Sequence, residues 1–256
     1  MTRSAVAPVV SDFANEVSQR LERLVTLAAD SGLDAAISLM TRAIDTGAVI
    51  HAFGTGHSEA FAMEIAGRAG GLIPTNKIAL RDLVLRGRLK VDSLTGSNLE
   101  RNPDIGAELW EISPIHPGDV FLIASNSGVN GSVVGMALLA KEKGHDVIGV
   151  TSLQHTAQVQ PKHPSGLRLS EITDVVIDNL APYGDATLAL PGGVAVGSVS
   201  SITSAFIAQL LTIGVAERMN GEGRVPPLYL SANIPGGDEH NRALEKKYEG
   251  RIRRVT

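Results

Sequence analysis

A strand-like apolar run that ends in a glycine-rich turn is the feature that most constrains the fold. Residues 48–53 are apolar, residues 54–58 (the glycine turn) read Gly-Thr-Gly-His-Ser, and a helix-like stretch follows. Glycine allows backbone angles and close approaches that a Cβ would block. The first turn of a helix offers unpaired N–H groups at the positive end of its dipole. We therefore predict an anion site formed by Gly54, Thr55, Gly56 and Ser58.

The same order of strand, polar turn and helix recurs along the chain. The further apolar runs lie at 72–78, 119–124, 146–150 and 174–177. Strands that alternate with helices predict a parallel sheet with right-handed crossovers, whose ligands bind beyond the carboxyl ends of the strands. The glycine turn, the hydroxyl-rich loop 125–130 (the serine loop) and Thr151 are therefore expected at one edge.

The pattern outside these strands predicts helices at both ends of the chain. Apolar residues at helical spacing indicate an N-terminal arm of two helices, and a charged helix is expected near the C-terminus. The chain has no internal repeat and no low-complexity linker. The predicted organisation is one domain over 1–256, with the helical arm at 9–46, the sheet core at 47–220, a long helix at 198–219 and the tail at 221–256.

Composition excludes several classes of protein. The chain of 256 residues has a formal net charge of −4 and no cysteine. Thiolate metal sites, disulfides and cysteine nucleophiles are therefore excluded. The net charge also gives no excess of basic residues for binding nucleic acid or an anionic membrane. The seven histidines show no metal-ligand spacing, so no metal site is expected. With no apolar run of about 20 residues and no signal-peptide core, we expect a cytoplasmic protein without membrane or nucleic-acid partners.

Three familiar catalytic or nucleotide-binding motifs are absent, because this chain lacks residues that each of them requires. A dinucleotide fingerprint needs a third glycine where this chain has Glu59. A P-loop needs Gly-Lys-Ser/Thr after the strand, and none follows. A nucleophile elbow needs a glycine two residues before the serine, which Ser127 lacks.

The polar turns that follow the predicted strands resemble those of the SIS (sugar isomerase) phosphosugar-binding domain. The resemblance is carried by the order of four motifs: Gly-x-Gly-x-Ser at 54–58, Ser-x-Ser-Gly at 125–128 with Asn130 two positions on, Thr151, and a loosely matched Ser-x-x-Leu stretch at 165–174. It implies an α/β three-layer sandwich with a five-stranded parallel sheet, flavodoxin-like and SIS-type, preceded by the helical arm. It also implies a homodimer or homotetramer that binds a phosphorylated sugar and needs no cofactor.

The resemblance also implies roles for individual residues. Ser125, Asn126, Ser127 and Asn130, in the loop that includes Gly128, are expected to hold the phosphate, with Ser58 and Gly56 near the sugar. The stretch 63–68 looks most like phosphoheptose isomerases, which places an acid/base on Glu64; an ion pair with Arg68 is the alternative. Those enzymes have a histidine in the late helix, and this chain has none there. The candidates for a second acid/base are His57, His240 and Asp185.

Three functions follow as hypotheses. The first is a cofactor-independent isomerase of sugar phosphates, because moving a proton between adjacent carbons needs a poised carboxylate or imidazole. The second is a phosphosugar sensor without chemistry, and the third is elimination or ether cleavage on an amino-sugar phosphate. The segment 79–104, with a cluster of four basic residues at 81–90 and a polar stretch, is either a lid over the site or a solvated face.

Overall fold

A five-stranded parallel sheet forms the centre of the computed structural model, which describes residues 7–253. The strand order is β2-β1-β3-β4-β5. The strands are β1 Ile50–Gly54, β2 Thr75–Ile78, β3 Val120–Ala124, β4 Asp146–Thr151 and β5 Val175–Asp178. All residues of β1 and β3 are buried, as expected for parallel strands that helices cover on both faces. The predicted α/β fold with a five-stranded parallel sheet is confirmed.

Helices cover the two faces of the sheet as separate layers. Successive residues of a strand point to opposite faces, so Leu122 packs in one core cluster while Phe121 and Ile123 pack in the other. The helices are α1 Ala7–Ala29, α2 Asp34–Asp45, α3 Glu59–Ile65, α4 Asp82–Leu85, α5 Asn98–Arg101, α6 Ile105–Glu111, α7 Gly131–Glu142, α8 Leu153–Thr156, α9 Leu169–Ile172, α10 Ser200–Gly221 and α11 Gly237–Glu245. The arm helices α1 and α2 share a cluster with α10 and the sheet through the buried Leu24 and Met40.

A β-hairpin that the sequence pattern did not predict lies between β5 and α10. Its strands are β6 Ala186–Leu190 and β7 Val194–Ser198, paired antiparallel. Gly192 and Gly193 both have positive φ, at 89° and 77°, which is what a tight hairpin turn needs. Helix α3, the helix-like stretch after the glycine turn, ends at Ile65, before the first glycines that follow it in the sequence.

A buried ion network closes the opposite edge of the sheet, at the amino ends of the strands. The Asp119 carboxylate accepts hydrogen bonds from His51 Nε2 over 3.0 Å, from the backbone N–H of Val49 and His116 over 2.8 Å each, and from Arg251 over 2.6 Å. Burial lowers the pKa of His51. Burial alone would raise the pKa of Asp119, but the hydrogen bonds from His51, His116 and Val49 lower it overall. The network therefore joins a neutral imidazole and a carboxylate, and it fixes the tail beneath the sheet.

Helix α10 corrects the expectation that the chain has no segment long and apolar enough to span a membrane. Its length of 22 residues and mean hydropathy of 1.2 satisfy the criteria for a membrane span, which the sequence pattern had not indicated. The bent pair Pro8–Ala29 and Asp34–Asp45 satisfies them only when taken together. Ile207, Leu211 and Val215 of α10 are buried in the core. Core packing therefore accounts for the apolar character of this helix.

Candidate functional site

A cavity lies at the carboxyl edge of the sheet, where the register of β1, β3 and β4 brings their ends together. Its volume is about 360 Å³. Every lining residue is polar or glycine, and we call this site the polar cavity. The lining consists of Thr55, Gly56, His57, Ser58, Glu100, Ser125, Asn126, Ser127, Asn130, His155, Asp185, Ser198, Ser200 and Ser201. Such a surface suits a ligand rich in hydroxyl groups and negative charge.

The glycine turn forms one wall, and its shape depends on Gly54. A Cβ at this position would lie 2.3 Å from the carbonyl oxygen of Ser58, so only glycine lets the chain fold back this tightly. Gly56 has a φ of 56° and begins a short 3-10 helix, Gly56–Ser58, that leads into α3. The side chains of His57 and Ser58 make no hydrogen bond within residues 7–253. Both can therefore bind a ligand without breaking an internal contact.

The serine loop forms the opposite wall and leads into α7. Ser125 Oγ accepts a hydrogen bond of 3.1 Å from the Gly128 N–H, which curls the loop. Gly128 has a φ of 64°, and a Cβ there would lie 2.9 Å from Thr151 Oγ1. The buried Thr151 hydroxyl donates to the Asn126 carbonyl over 3.3 Å. Thr151 therefore supports the loop from behind and is absent from the cavity lining.

The donors of the serine loop suit a phosphate group. Asn130 is the N-cap of α7, a helix of 12 residues. The positive end of the helix dipole therefore faces this end of the cavity. The Ser127 hydroxyl makes no hydrogen bond within the described part of the chain. No lysine or arginine between residues 7 and 253 lines the polar cavity, but Lys162 Nζ donates a hydrogen bond of 3.3 Å to Asn130 Oδ1 from outside the lining. Neutral donors and the dipole would therefore contact an anion here, with one ammonium group nearby.

Glu100 is the residue that sequence reasoning missed. It belongs to α5, in the segment 79–104, and its carboxylate enters the polar cavity. Its Oε1 accepts hydrogen bonds from Thr55 Oγ1 over 3.1 Å and from Asn130 Nδ2 over 2.6 Å, while its carbonyl oxygen accepts from Ser132 Oγ over 2.7 Å. Its Oε2 accepts no hydrogen bond from residues 7–253. One carboxylate oxygen is thus fixed and the other is available to a ligand.

Asp185 and His155 form the third wall. Asp185 has a φ of 69° and caps α10, because its carboxylate accepts from the N–H groups of Val199 and Ser200 and from Ser200 Oγ. His155 Nδ1 accepts a hydrogen bond of 3.2 Å from the Gly184 N–H. Burial lowers the pKa of His155, with the Asp185 carboxylate opposing that change. A neutral ring whose Nδ1 is an acceptor carries its proton on Nε2.

Two of the four predicted acid/base residues, Glu64 and His240, lie outside the polar cavity. Glu64 pairs with Arg68 and accepts a hydrogen bond of 2.6 Å from Gln209 Nε2, which agrees with its alternative interpretation as an ion-pair partner. His240 Nε2 lies 3.0 Å from the carbonyl oxygen of Leu228 in the tail. The other two, His57 and Asp185, are in the lining.

The other predicted residues divide between the cavity lining and its support. The glycine turn, the serine loop and Asp185 meet around one cavity, as expected from the topology. Gly54, Gly128 and Thr151 shape its walls without entering the lining. Among residues 7–253, no group of three His, Asp or Glu side chains could hold a metal ion.

Comparison with known proteins supports the fold and defines the family. The SIS domain model matches residues 12–152. The UPF0309 protein GK1441 of Geobacillus kaustophilus is 35% identical over 245 residues, which cover 95% of this chain and 96% of that protein. UPF0309 protein lin2794 of Listeria innocua is also 35% identical, with coverage of 95% and 97%.

Two solved structures share the fold at low sequence identity. The protein c3406 of E. coli CFT073, in complex with A5P, has a TM-score of 0.53 and 15% identity, covering 86% of this chain and 94% of that one. A phosphoheptose isomerase from Francisella tularensis has a TM-score of 0.53 and 15% identity, covering 84% and 100%. The sheet and helical layers described above are thus those of known SIS proteins, and the chain belongs to the SIS domain family, among the UPF0309 proteins.

Proposed function

We propose that the polar cavity binds a phosphorylated sugar and that Glu100 isomerises it between aldose and ketose. The observation that carries the proposal is the position of the Glu100 carboxylate. It lies in an entirely polar cavity, beside the serine loop, with Oε1 fixed and Oε2 open to a ligand. A fixed carboxylate with one available oxygen is the arrangement that transfer of a proton between two carbons requires.

The phosphate is assigned to the serine loop. Ser125, Ser127 and the N-terminal end of α7 supply neutral donors and a favourable dipole, as phosphate sites at helix N-termini do. Glu100 is tied to this loop through Asn130, so the reacting carbons of the sugar would lie a short distance from its phosphate end. The hydroxyl groups of Ser58 and Ser201 remain for the sugar.

The proposed reaction begins with the open-chain aldose. Glu100 Oε2 takes the proton from C2, and the electron pair of that C–H bond forms the C1–C2 double bond while the carbonyl oxygen on C1 is protonated. The resulting enediol loses its C2 hydroxyl proton as the C2 carbonyl forms, and Glu100 returns a proton to C1. His155, with a proton on Nε2, is the lining group proposed to give a proton to the oxygen on C1 and to take the proton from the hydroxyl on C2. Protons balance, and no cofactor takes part.

A thermal-shift screen followed by turnover assays tests this function. Sugar phosphates, including A5P, should raise the melting temperature, because a ligand that binds only the native state stabilises it. On the sugar phosphate that is converted, Glu100→Gln should lower kcat by about 10²–10⁴-fold, the usual contribution of a positioned acid/base. Glu111→Gln, on an exposed glutamate far from the lining, should keep full turnover.

The same assays separate the competing hypotheses. If Glu64→Gln abolishes turnover and Glu100→Gln does not, the acid/base lies on Glu64 and the present assignment is wrong. If a sugar phosphate binds tightly and no product forms over long incubation, the protein is a sensor. Proton NMR of the products would distinguish isomerisation from elimination. The homodimer or homotetramer implied by the family remains a prediction that light scattering would check.

A further inference from the structure

A second cavity of about 320 Å³ adjoins the polar cavity and shares Gly56 and Glu100 with it. We call it the leucine cavity, because three leucines contribute to its lining. The remaining wall comes from Glu59 in α3 and from the segment 79–104. Beyond the two shared residues, the lining consists of Glu59, Leu80, Arg81, Ser93, Leu94, Gly96 and Leu99.

The chemistry of the two cavities differs sharply. The polar cavity has no aliphatic side chain in its lining, whereas the leucine cavity has Leu80, Leu94 and Leu99. Leu94 is 40% exposed. Apolar surface in a concave site gains free energy when a ligand covers it. A ligand that fills both cavities is therefore polar at one end and partly apolar at the other.

The charged side chains of the leucine cavity already have partners in the protein, so they do not favour a charged ligand. The Arg81 guanidinium already pairs with the Glu59 carboxylate, and Lys77 Nζ lies 3.4 Å from the same oxygen. Ser93 adds an uncharged hydroxyl. An uncharged group with an apolar end, such as an acyl chain on an amide, fits this lining better than a second phosphate or a free amine does.

Gly56 and Glu100 line both cavities, so a ligand that extends from one cavity into the other lies between these two residues. A Cβ at Gly56 would lie 3.7 Å from Glu100 Oε2, so any larger side chain would project between the carboxylate and the glycine turn. If Glu100 acts on C1 and C2, a substituent that passes Gly56 starts from the adjacent carbon, C3. A substituent on C3 is also unchanged by isomerisation at C1 and C2.

We infer that the leucine cavity receives an acylamino substituent on C3 of the sugar phosphate bound in the polar cavity. This inference rests on the proposed function and narrows its substrate class. The leucines cover the acyl chain, while the sugar and phosphate keep the contacts described above. Each methylene that enters the cavity then strengthens binding by about fourfold, the usual effect of burying one.

Calorimetric titration with matched ligands tests the inference. The ligands are a sugar phosphate that binds in the thermal-shift screen and its 3-acetamido-3-deoxy and 3-butanamido-3-deoxy derivatives. The butanamido compound has two more methylenes than the acetamido compound, so it should bind about fifteenfold more tightly. Leu94→Ser should reduce that ratio to below threefold. Leu85→Ser changes a leucine that is 69% exposed and lines neither cavity, so the ratio should persist.

The outcomes separate this inference from the function on which it rests. If the parent sugar phosphate binds and the acylamino derivatives bind no better, the leucine cavity has another role and only the inference fails. An unchanged ratio in Leu94→Ser overturns it in the same way. If no sugar phosphate binds at all, substituted or not, the proposed function fails and the inference fails with it.

Discussion

Asn130 Nδ2 donates a hydrogen bond of 2.6 Å to Glu100 Oε1, so the residue that caps α7 also orients the proposed base. We expect Asn130→Ala to lower kcat by about 10-fold to 100-fold, because small misplacement of a catalytic group is costly, and to change KM less. Steady-state kinetics on the converted sugar phosphate would check this. If KM instead rose by about 10-fold to 100-fold while kcat stayed unchanged, Asn130 would serve substrate binding alone.

Removing one hydroxyl from the serine loop should weaken binding and leave the base in place. Ser127→Ala deletes a donor that has no internal partner within residues 7–253. A hydrogen bond to a charged group contributes about 1.5–3 kcal/mol, so the dissociation constant should rise by at least about tenfold. Calorimetric titration would measure it. Ser97→Ala, in a residue outside the cavity lining, serves as the control and should bind as the wild type does.

The tight turn after β1 makes Gly54 intolerant of any side chain. In Gly54→Ala the new methyl would lie 2.3 Å from the Ser58 carbonyl oxygen, so the turn must shift. We expect a loss of about 1–3 kcal/mol in the free energy of unfolding, as is typical of overpacking. Urea denaturation would measure the loss. Gly221→Ala, where a Cβ meets nothing within 4 Å, should change stability far less, and an equal loss there would contradict the steric explanation.

Acid should weaken the fold through His51. Its folded-state pKa is lowered by burial, so the unfolded chain binds the proton more readily. The stabilisation is fully present above the ordinary pKa of 6.5 and is lost as the pH falls from that value through the folded-state pKa. Asp119, whose pKa is also lowered, should add a second loss below its ordinary value of 3.8.

Denaturant unfolding at several pH values between 7.5 and about 4.5 would show the contribution of His51. In His51→Gln the side chain no longer titrates, so the decline in unfolding free energy over this range should be shallower than in the wild type. His57→Gln changes a histidine exposed at the polar cavity and should leave the slope unchanged. Equal slopes in the wild type and His51→Gln would contradict the assignment.

The sheet could be predicted from the sequence because its signals are local. Continuous apolar runs such as Val120–Ala124, each followed by a polar turn, indicate buried parallel strands and the edge at which their loops meet. The hairpin β6–β7 was missed although Gly192 and Gly193 marked its turn. Its strands are antiparallel and largely exposed, and they do not follow the order of buried strand, polar turn and helix by which the others were recognised.

The site could be predicted only in part, because its proposed base arrives through tertiary contacts. Glu100 lies in a segment with weak periodicity, and its hydrogen bonds reach 45 residues back to Thr55 and 30 residues forward to Asn130. The one available signal was an acid beside the polar stretch 95–98 in a segment already suspected to be a lid. Glu64 was favoured by its place in a motif. The sequence already offered its pairing with Arg68 as the alternative, but its contact with Gln209 depends on where α10 packs.

The two contacts of Glu100 Oε1 also join the segment 79–104 to parts of the chain with which it has no strand pairing. Through this oxygen, the segment 79–104 is tied to the glycine turn and the serine loop at once. A substitution that removed this oxygen would therefore release a wall of the pocket together with the proposed base. Descendants of this protein could not become receptors without turnover by an arbitrary change of Glu100, since the replacement would have to accept the same two hydrogen bonds. An amide oxygen can accept both, so Glu100→Gln is the smallest evolutionary step that would separate recognition from turnover.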